Sequence, residues 1–397
     1  MSISGFFLPS VFTLIFANSL AKSVTLNRSI FFFRREKMTK KLRPRELGIE
    51  IGVLKTGTHN AITDVDGVLV GQTTLIDDSV GMRTGVTAII PHSENIFKNK
   101  VPCGIFLGNA FGKMVGYPQV KELGNLETPI VLTNTLNLAS AIDGLIDYTF
   151  AFEDNDDVRS INCLVGETND GTINDIRARF VKPEHVRAAL ENAKSGPVEE
   201  GGVGAGTGTK AFNFKGGIGT ASRKLPDNMG GYTIGVLVQS NFGGLLNVNG
   251  VEVGRALGGY PYQKELECAD GSIMMIVATD APLEARNLER VAKRAFMGLA
   301  KSGGVASNGS GDFVVAFSTN KAMRIPHKAE ALQKQAMEVV RNDDMTPIFM
   351  ATIEATEEAI INSLFAGEDT PTYNGKVIKG LPIDQVMEMV KKHNKLA

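Results

Sequence analysis

The dipeptide Gly271-Ser272, directly before the apolar run 273–278, combines residue types that could cut the chain and then use the new end. Breaking the peptide bond before Ser272 would place a free α-amine beside the hydroxyl of the same residue. An α-amine has a pKa of roughly 7.7 to 8.0 in model peptides, which suits a general base near neutral pH. Gly271 has no side chain to obstruct attack on its carbonyl. The pattern is compatible with self-cleavage, although Gly-Ser before a strand is most often an ordinary turn.

Ser310 and Asp312 lie two residues apart, where a glycine-rich segment enters the apolar run 313–317. In extended backbone this spacing directs both side chains to one face. A hydroxyl paired with a carboxylate is the arrangement that a proton relay beside a nucleophile needs. The alternative is a glycine-rich turn whose polar side chains bond their own backbone.

Asn241 follows the apolar run 235–238 and presents an amide where a strand would emerge. Such an amide can donate a hydrogen bond to a developing oxyanion, which is commonly worth about 3 to 4 kcal/mol. An asparagine before Phe-Gly is also a common turn former, so this residue alone does not decide between the two roles.

The glycine-dense segment 201–210 resembles a phosphate-binding loop, but Thr209 stands where a P-loop has the glycine before its lysine. No strong apolar strand leads into it. We therefore interpret this segment, together with residues 214–223, as tight backbone packing rather than a nucleotide site.

Composition excludes several classes of function. The 42 basic and 43 acidic residues nearly balance, so no broad positive field for nucleic acid or anionic lipid is expected. The three cysteines are widely separated and the five histidines show no ligand spacing, which gives no basis for a disulfide framework, a metal or another cofactor. Small ligands recognised locally are expected instead.

The first 37 residues include an apolar stretch at 5–21 that has no basic residue before it. It is a poor signal peptide and is marginal for a membrane span. Residues 1–44 are therefore either a weak targeting segment or an upstream extension with Met38 as the working start. We favour the extension, which predicts a cytoplasmic protein; a genuine signal would predict export.

No linker or repeat divides the chain from residue 45 onward, so we expect one catalytic domain over 45–397. Helices are predicted from an Asp280 N-cap to Gly303, and at 328–341, 353–364 and 384–393, each amphipathic. Alternating strands and helices favour helices covering stacked sheets. The predicted strands are 68–70, 86–90, 104–107, 130–132, 232–238, 272–278 and 313–317.

Several motifs in order resemble the P1 aminopeptidase family, the DmpA-like group of L-aminopeptidase/D-esterases and β-peptidyl aminopeptidases. The resemblance runs from about residue 45 to 319. The matching segments are 59–65, 83–85, 108–109, 133–135, 167–171, 174–175, 204–208, 214–223, 238–241 and 271–272.

This resemblance implies a four-layer αββα sandwich of the DmpA and ornithine acetyltransferase type, similar to the N-terminal nucleophile hydrolases. It implies a cut after Gly271 that leaves an α chain, 45–271, and a β chain, 272–397. It also implies Ser272 as nucleophile, Ser310 and Asp312 as its supporting pair, Asn241 at the oxyanion, and Tyr148 facing the pocket. The family suggests a tetramer of processed pairs acting on small peptides, amino-acid amides or esters.

Two other functions remain open from the sequence. Ornithine acetyltransferase-like acyl transfer uses a similarly exposed nucleophile, although those enzymes normally begin the second chain with threonine. An uncut binding or scaffold relative would leave Ser272 as an ordinary turn residue. The chain also lacks the His-Trp expected after Gly108-Asn109 and the tryptophan expected at Thr172, positions that could shape the substrate pocket.

Overall fold

The computed structural model describes residues 41–258, 271–327, 334–393 and 396. Contacts group residues from Leu42 onward into one compact unit. Most of the predicted extension 1–44, and Cys268, lie outside the described residues. Within those ranges, no helix has the length and apolar character needed to cross a bilayer.

The chain alternates strands and helices through most of its length. The strands are β1 Leu69–Asp77, β2 Met82–Ile90, β3 Asn99–Ala110, β4 Met114–Val115, β5 Asn125–Leu126, β6 Ile130–Asn134, β7 Leu164–Thr168, β8 Lys210–Ala211, β9 Phe214–Lys215, β10 Gly217–Lys224, β11 Thr233–Asn241, β12 Ser272–Thr279, β13 Gly311–Ser318, β14 Ile325–Pro326, β15 Thr370–Pro371 and β16 Val377–Ile378. The α-helices are α1 Tyr117–Leu123, α2 Leu138–Phe150, α3 Pro183–Glu191, α4 Val253–Leu257, α5 Ala285–Lys301, α6 Thr346–Phe365 and α7 Ile383–Lys392.

Two mixed sheets contain most of these strands. Sheet I has the order β1-β2-β6-β7-β4, and sheet II has the order β10-β11-β12-β13-β3-β14, with β5 added beside β3. In sheet II, β12 runs antiparallel to β11 and parallel to β13, and β13 runs antiparallel to β3. All seven predicted strands occur, most of them with longer bounds.

Three apolar clusters separate four layers. One cluster lies between the sheets and includes Leu132 of sheet I and Met274 of sheet II. A second packs sheet II against α5 and α6, and a third packs the other face of sheet I against α2 and α3. The order is therefore helices, sheet I, sheet II, helices, which confirms the predicted αββα sandwich.

Strand β12 is buried on both faces, as its uninterrupted apolar sequence requires. Met274, Ile276 and Ala278 face sheet I, and the alternate residues, from Ile273 onward, face the helices. Because side chains alternate along a strand, Ser272 shares the face of Met274. The predicted nucleophile therefore lies at the start of a central strand, on the side that faces sheet I.

Two helix predictions need correction: the first residue of α5, and the length and burial of α6. Helix α5 begins at Ala285 with Glu284 as its N-cap, not at Asp280, because the Glu284 carboxylate accepts from the Asn287 amide. The Asp280 carboxylate instead accepts from the Thr233 amide. Helix α6 is longer than predicted and is buried almost all round rather than amphipathic.

The predicted helix 328–341 is wrong over residues 334–341, which are irregular; residues 328–333 lie outside the described part. The Val340 amide donates to Pro282 O, and Val340 packs beside the cluster under sheet II. A long-range backbone bond therefore replaces the local helical bonds that the periodicity predicted.

Helix α6 carries carboxylates inside the protein because sheet II supplies a buried cation. The Arg223 guanidinium lies 2.9 Å from Glu354 Oε2 and 2.6 Å from Glu358 Oε2. Arg45 reaches Glu358 at 2.8 Å. These ion pairs join the start of the described chain, β10 and α6, and so fix the helical layer that covers sheet II.

Candidate active site

Ser272 lies between two partners that belong to neighbouring strands. The β11–β12 register pairs it with Asn241, and the β12–β13 register pairs it with Gly311. Directly opposed residues in a sheet have Cβ atoms about 4.5 to 5.5 Å apart, so the Asn241 side chain lies beside the serine. The long-range pairing of three strands therefore brings together residues that are 31 and 39 positions from Ser272.

The Ser272 hydroxyl contacts the bond that would be cut. Its Oγ donates to Gly271 O at 2.7 Å. The Gly311 amide lies 3.2 Å from Ser272 Oγ and also 3.2 Å from Gly271 O. The carbonyl that attack would convert to an oxyanion therefore already accepts from a backbone amide, which is the geometry that stabilises developing charge.

Gly271 is packed against the end of β11. A Cβ at this position would lie 2.4 Å from Phe242 Cα and 2.8 Å from Asn241 O, both of them backbone atoms. Only a glycine fits this approach without moving the strand. The missing side chain of Gly271 thus has two effects: it leaves the carbonyl open to attack, and it lets the backbone at Asn241 and Phe242 pack close to this residue.

Ser310 and Asp312 form the pair that their spacing predicts. Ser310 Oγ donates to Asp312 Oδ1 at 2.6 Å, and the two residues flank Gly311. Burial raises the pKa of Asp312 to about 6, and the Ser310 hydrogen bond only partly offsets this. The second oxygen, Oδ2, is buried without a hydrogen-bond partner among the described residues. This carboxylate can therefore polarise Ser310 and accept a further proton.

The Asn241 carboxamide is held by backbone groups at both ends. Its Nδ2 donates to Asn169 O at 3.0 Å, and its Oδ1 accepts from the Lys210 amide at 3.1 Å. Within the described part of the chain, only one of the two Nδ2 hydrogens is used in this way, so the other can donate to a ligand.

These four side chains are nearly excluded from water. The exposed fractions are 6% for Ser272, 2% for Ser310, 1% for Asp312 and 7% for Asn241. Electrostatic interactions are stronger where water is excluded, so each hydrogen bond here weighs more in a reaction than it would on the surface.

Asn109 fixes the turn that precedes β13, a role that the sequence did not reveal. Its Nδ2 donates to the carbonyls of Ser307 and Asn308 at 3.0 and 3.1 Å, and to that of Ser310 at a shorter distance. The β3–β13 register places Asn109 opposite Asp312. Gly108-Asn109 is one of the segments that match the family, but only the strand pairing shows that Asn109 lies opposite Asp312.

Glu167, at the end of β7, is a second buried carboxylate near the serine. Its Oε1 accepts from the Lys113 amide at 2.9 Å, and its Oε2 accepts from the Thr135 hydroxyl. A Cβ on Gly112 would lie 3.3 Å from Glu167 Oε1 and 3.1 Å from Gly311 Cα, so one glycine separates them. Burial raises the pKa of Glu167. Residues 167–171 are among the segments that match the family, but no role was predicted for Glu167.

The structure does not bring Tyr148 to this group, contrary to the prediction. Its ring packs edge-on against Phe152, with centroids 5.4 Å apart. Tyr148 borders the cluster between sheet I and helices α2 and α3. That cluster lies on the face of sheet I that points away from sheet II. The Tyr148 ring therefore lies in the outer helical layer, away from Ser272.

The described residues contain no group of three or more His, Cys, Asp or Glu side chains that could hold a metal ion. The residues at the site supply hydroxyls, carboxylates, backbone amides and one carboxamide. Such a set suits nucleophilic attack on a carbonyl followed by proton transfer.

Comparison with known proteins gives consistent matches over most of the chain. The model of peptidase family S58 matches residues 60–378. The β-peptidyl aminopeptidase BapA of Sphingosinicella microcystinivorans is 39% identical over 380 residues, which cover 89% of this chain and 93% of that protein.

Solved structures agree in fold. The PH0078 protein of Pyrococcus horikoshii OT3 is 46% identical with a TM-score of 0.82, covering 89% of this chain and 100% of that one. The L-aminopeptidase D-Ala-esterase/amidase of Ochrobactrum anthropi, described as a prototype serine aminopeptidase with a variant N-terminal nucleophile hydrolase fold, is 35% identical. Its TM-score is 0.81, covering 89% of this chain and 99% of that one.

Proposed function

The chain belongs to peptidase family S58, and we propose that it is a self-processing serine aminopeptidase whose nucleophile, Ser272, is exposed by a cut after Gly271. The resemblance to P1 aminopeptidases is thereby confirmed. Family membership selects a peptidase over the acyltransferase and the scaffold that the sequence left open. The observation that carries the proposal is the contact of Ser272 Oγ and the Gly311 amide with the Gly271 carbonyl oxygen.

Self-cleavage begins when Ser272 Oγ loses its proton and attacks the Gly271 carbonyl carbon. The carbonyl oxygen takes up negative charge, which the Gly311 amide stabilises from 3.2 Å. Collapse breaks the C–N bond, and the Ser272 nitrogen takes up a proton. The resulting ester between Gly271 and Ser272 Oγ is hydrolysed by water, which leaves a Gly271 carboxylate and a free Ser272 amine.

In the processed enzyme, the Ser272 amine takes the hydroxyl proton directly or through Ser310. Asp312, bonded to Ser310 at 2.6 Å, orients and polarises this relay. Oγ then attacks the substrate carbonyl, and the leaving amine departs with a proton. Asn241 donates to the oxyanion, a contribution commonly worth about 3 to 4 kcal/mol. Water finally releases the acyl group from Ser272.

The substrates we propose are short peptides, amino-acid amides and esters with a free amino terminus. The names of the relatives support this class, since they include β-peptidyl aminopeptidases and an L-aminopeptidase D-Ala-esterase/amidase. Glu167 supports it as well, because a buried carboxylate separated from Gly311 by one glycine can accept a substrate ammonium. A tetramer of processed pairs is the expected assembly, and its native mass should equal that of four processed chains.

Ser272→Ala tests the proposal on a denaturing gel. Wild-type protein should run as two fragments whose masses place the cut between Gly271 and Ser272, and the variant should run as one chain. Ser318→Ala is the matched control, since it makes the same change at the far end of β13, and it should be cut. Wild-type protein that stays whole while it releases amino acids from peptides would defeat the proposal.

A further inference from the structure

The two loops that hold the Asn241 carboxamide are each anchored by a buried ionisable side chain. One loop supplies Asn169 O and the other supplies the Lys210 amide. We propose that Asp170 and Lys215 are positioning residues, which fix these loops and so fix the direction of the Asn241 amide. The inference rests on the proposed function, in which this amide donates to the oxyanion.

Lys215 holds the loop before β8 together. The residue is 1% exposed, and its Nζ donates to Gly206 O at 2.8 Å and to Gly216 O at 2.6 Å. The Gly216 amide in turn donates to Thr209 O at 3.2 Å, directly before Lys210. The lysine and its neighbour therefore tie both ends of the turn that delivers the Lys210 amide to Asn241.

The surroundings of Lys215 make it costly to keep. Burial, together with the smaller effect of the Arg83 charge, lowers the pKa of Lys215 to about 7. Its hydrogen-bond acceptors in the described chain are carbonyls, not carboxylates. A buried amine without a carboxylate partner makes the folded protein less stable than an apolar residue of the same size would. We explain the presence of Lys215 by its hydrogen bonds, which fix the backbone of the loop that delivers the Lys210 amide to Asn241.

Asp170 holds the other loop. It is 2% exposed, and its Oδ1 accepts from Asn174 Nδ2 at 3.1 Å. Its backbone carbonyl accepts from the amides of Ile173 and Asn174, which closes the turn after Asn169. Burial raises the pKa of Asp170 to about 6, and the neighbouring Thr84, Asn174 and Asn134 side chains only partly offset this effect.

The two loops touch one another, so their positions are linked. A Cβ on Gly208 would lie 2.8 Å from Asp170 Cβ. Displacing either anchor therefore moves a loop that contacts both the other loop and one end of the Asn241 amide. A misdirected donor should weaken binding of the tetrahedral oxyanion while leaving ground-state substrate binding nearly intact.

The test compares Lys215→Met and Asp170→Asn with wild-type enzyme, using the α- or β-alanine p-nitroanilide that the wild type cleaves and the matching aldehyde as inhibitor. The aldehyde forms a tetrahedral adduct with a serine, so its affinity reports the oxyanion site. We expect kcat to fall by about tenfold or more and KM to change by less than about twofold. The aldehyde inhibition constant should rise by the same factor as kcat falls.

The controls separate positioning from general damage. Lys224→Met makes the same change at an exposed lysine of β10 and should leave all three constants unchanged. Counting N-terminal Ser272 ends corrects each rate for uncut protein. Lys215→Arg keeps a cation and its donors, so it should recover part of the kcat lost in Lys215→Met.

The proposal is overturned if the variants raise KM with kcat unchanged, or if kcat falls while aldehyde affinity stays at the wild-type value. If Lys215→Met fails to fold, the same comparison of kcat, KM and aldehyde affinity in Asp170→Asn tests the proposal. Failure of the proposed function looks different, because wild type and Lys224→Met would then also remain uncut.

Discussion

Replacing Gly271 by alanine perturbs the cleavage junction without removing any reacting group. The added methyl would lie 2.4 Å from Phe242 Cα and 2.8 Å from Asn241 O. Carbon atoms pack at about 3.5 Å, so the shortfall at the first contact is about 1 Å. Both obstructing atoms belong to the backbone at the end of β11 and cannot rotate away, so residue 271 must move instead.

This displacement acts on the contacts that cleavage uses. The Gly271 carbonyl would shift by about 1 Å relative to Ser272 Oγ and the Gly311 amide, and a misplacement of that size costs about 100-fold in rate. We therefore expect the half-time of self-cleavage to lengthen by about 100-fold in Gly271→Ala.

Cell-free translation with labelled methionine measures this rate, because samples stopped at intervals show the uncut chain turning into two fragments on a gel. Gly202→Ala is the matched control, since its methyl would come no closer than 3.4 Å to the flexible Lys215 side chain. Thermal melting against the Ser272→Ala precursor checks that Gly271→Ala is folded. A folded Gly271→Ala chain that is cut at the wild-type rate would refute this reasoning.

Two further predictions concern charged residues. Because burial raises the pKa of Asp312 to about 6, wild-type self-cleavage should slow by about tenfold for each pH unit below about 6, as the carboxylate that polarises Ser310 is protonated. Asp312→Asn should cleave itself slowly at every pH, and its rate should no longer fall below about pH 6. If the rate of this variant still falls in acid, the titrating group is not Asp312. Arg223→Met removes the cation paired with Glu354 and one of the two cations paired with Glu358, so it should lower the free energy of unfolding by about 3 to 5 kcal/mol. Urea unfolding of this variant in the Ser272→Ala background measures the loss, and a change under about 1 kcal/mol would show that the cluster does not hold α6.

The strands that position the site could be predicted from the sequence because each is a short apolar run bounded by turn residues. β12 and β13 were found almost to the residue, and the Ser310–Asp312 pair followed from the two-residue period of a strand. Which strands pair could not be read from the chain. Asn109 and Gly311 therefore received no role until the sheet placed them next to Asp312 and Ser272.

Helix α2 was missed because its sequence carries a glycine in the middle, which local propensity disfavours. In the structure, a Cβ on Gly144 would lie 2.6 Å from Val186 Cβ, so the glycine allows α2 and α3 to pack closely. The converse error occurred at 334–341, where helical periodicity was overruled by a backbone bond from Val340 to Pro282. In both places the decisive contact is distant in sequence.

Residues 214–223 show a mixed outcome. These residues were predicted to be tight backbone packing, whereas they form β9 and β10, with β10 pairing along its length with β11. Lys215 was not singled out, since a lone lysine among glycines gives no sign that it will be fully buried. Tyr148, which the family resemblance placed facing the pocket, lies in the outer helical layer.

Trapping the acyl-enzyme tests the central claim most directly. Wild-type protein would be mixed with an alanine p-nitrophenyl ester, quenched in acid within the first turnovers and measured as an intact mass. We predict two fragments, with the added acyl mass on residues 272–397 and, after digestion, on their N-terminal serine. A catalytically active sample that contains only full-length chain, or that carries the acyl group on any other residue, would contradict the account.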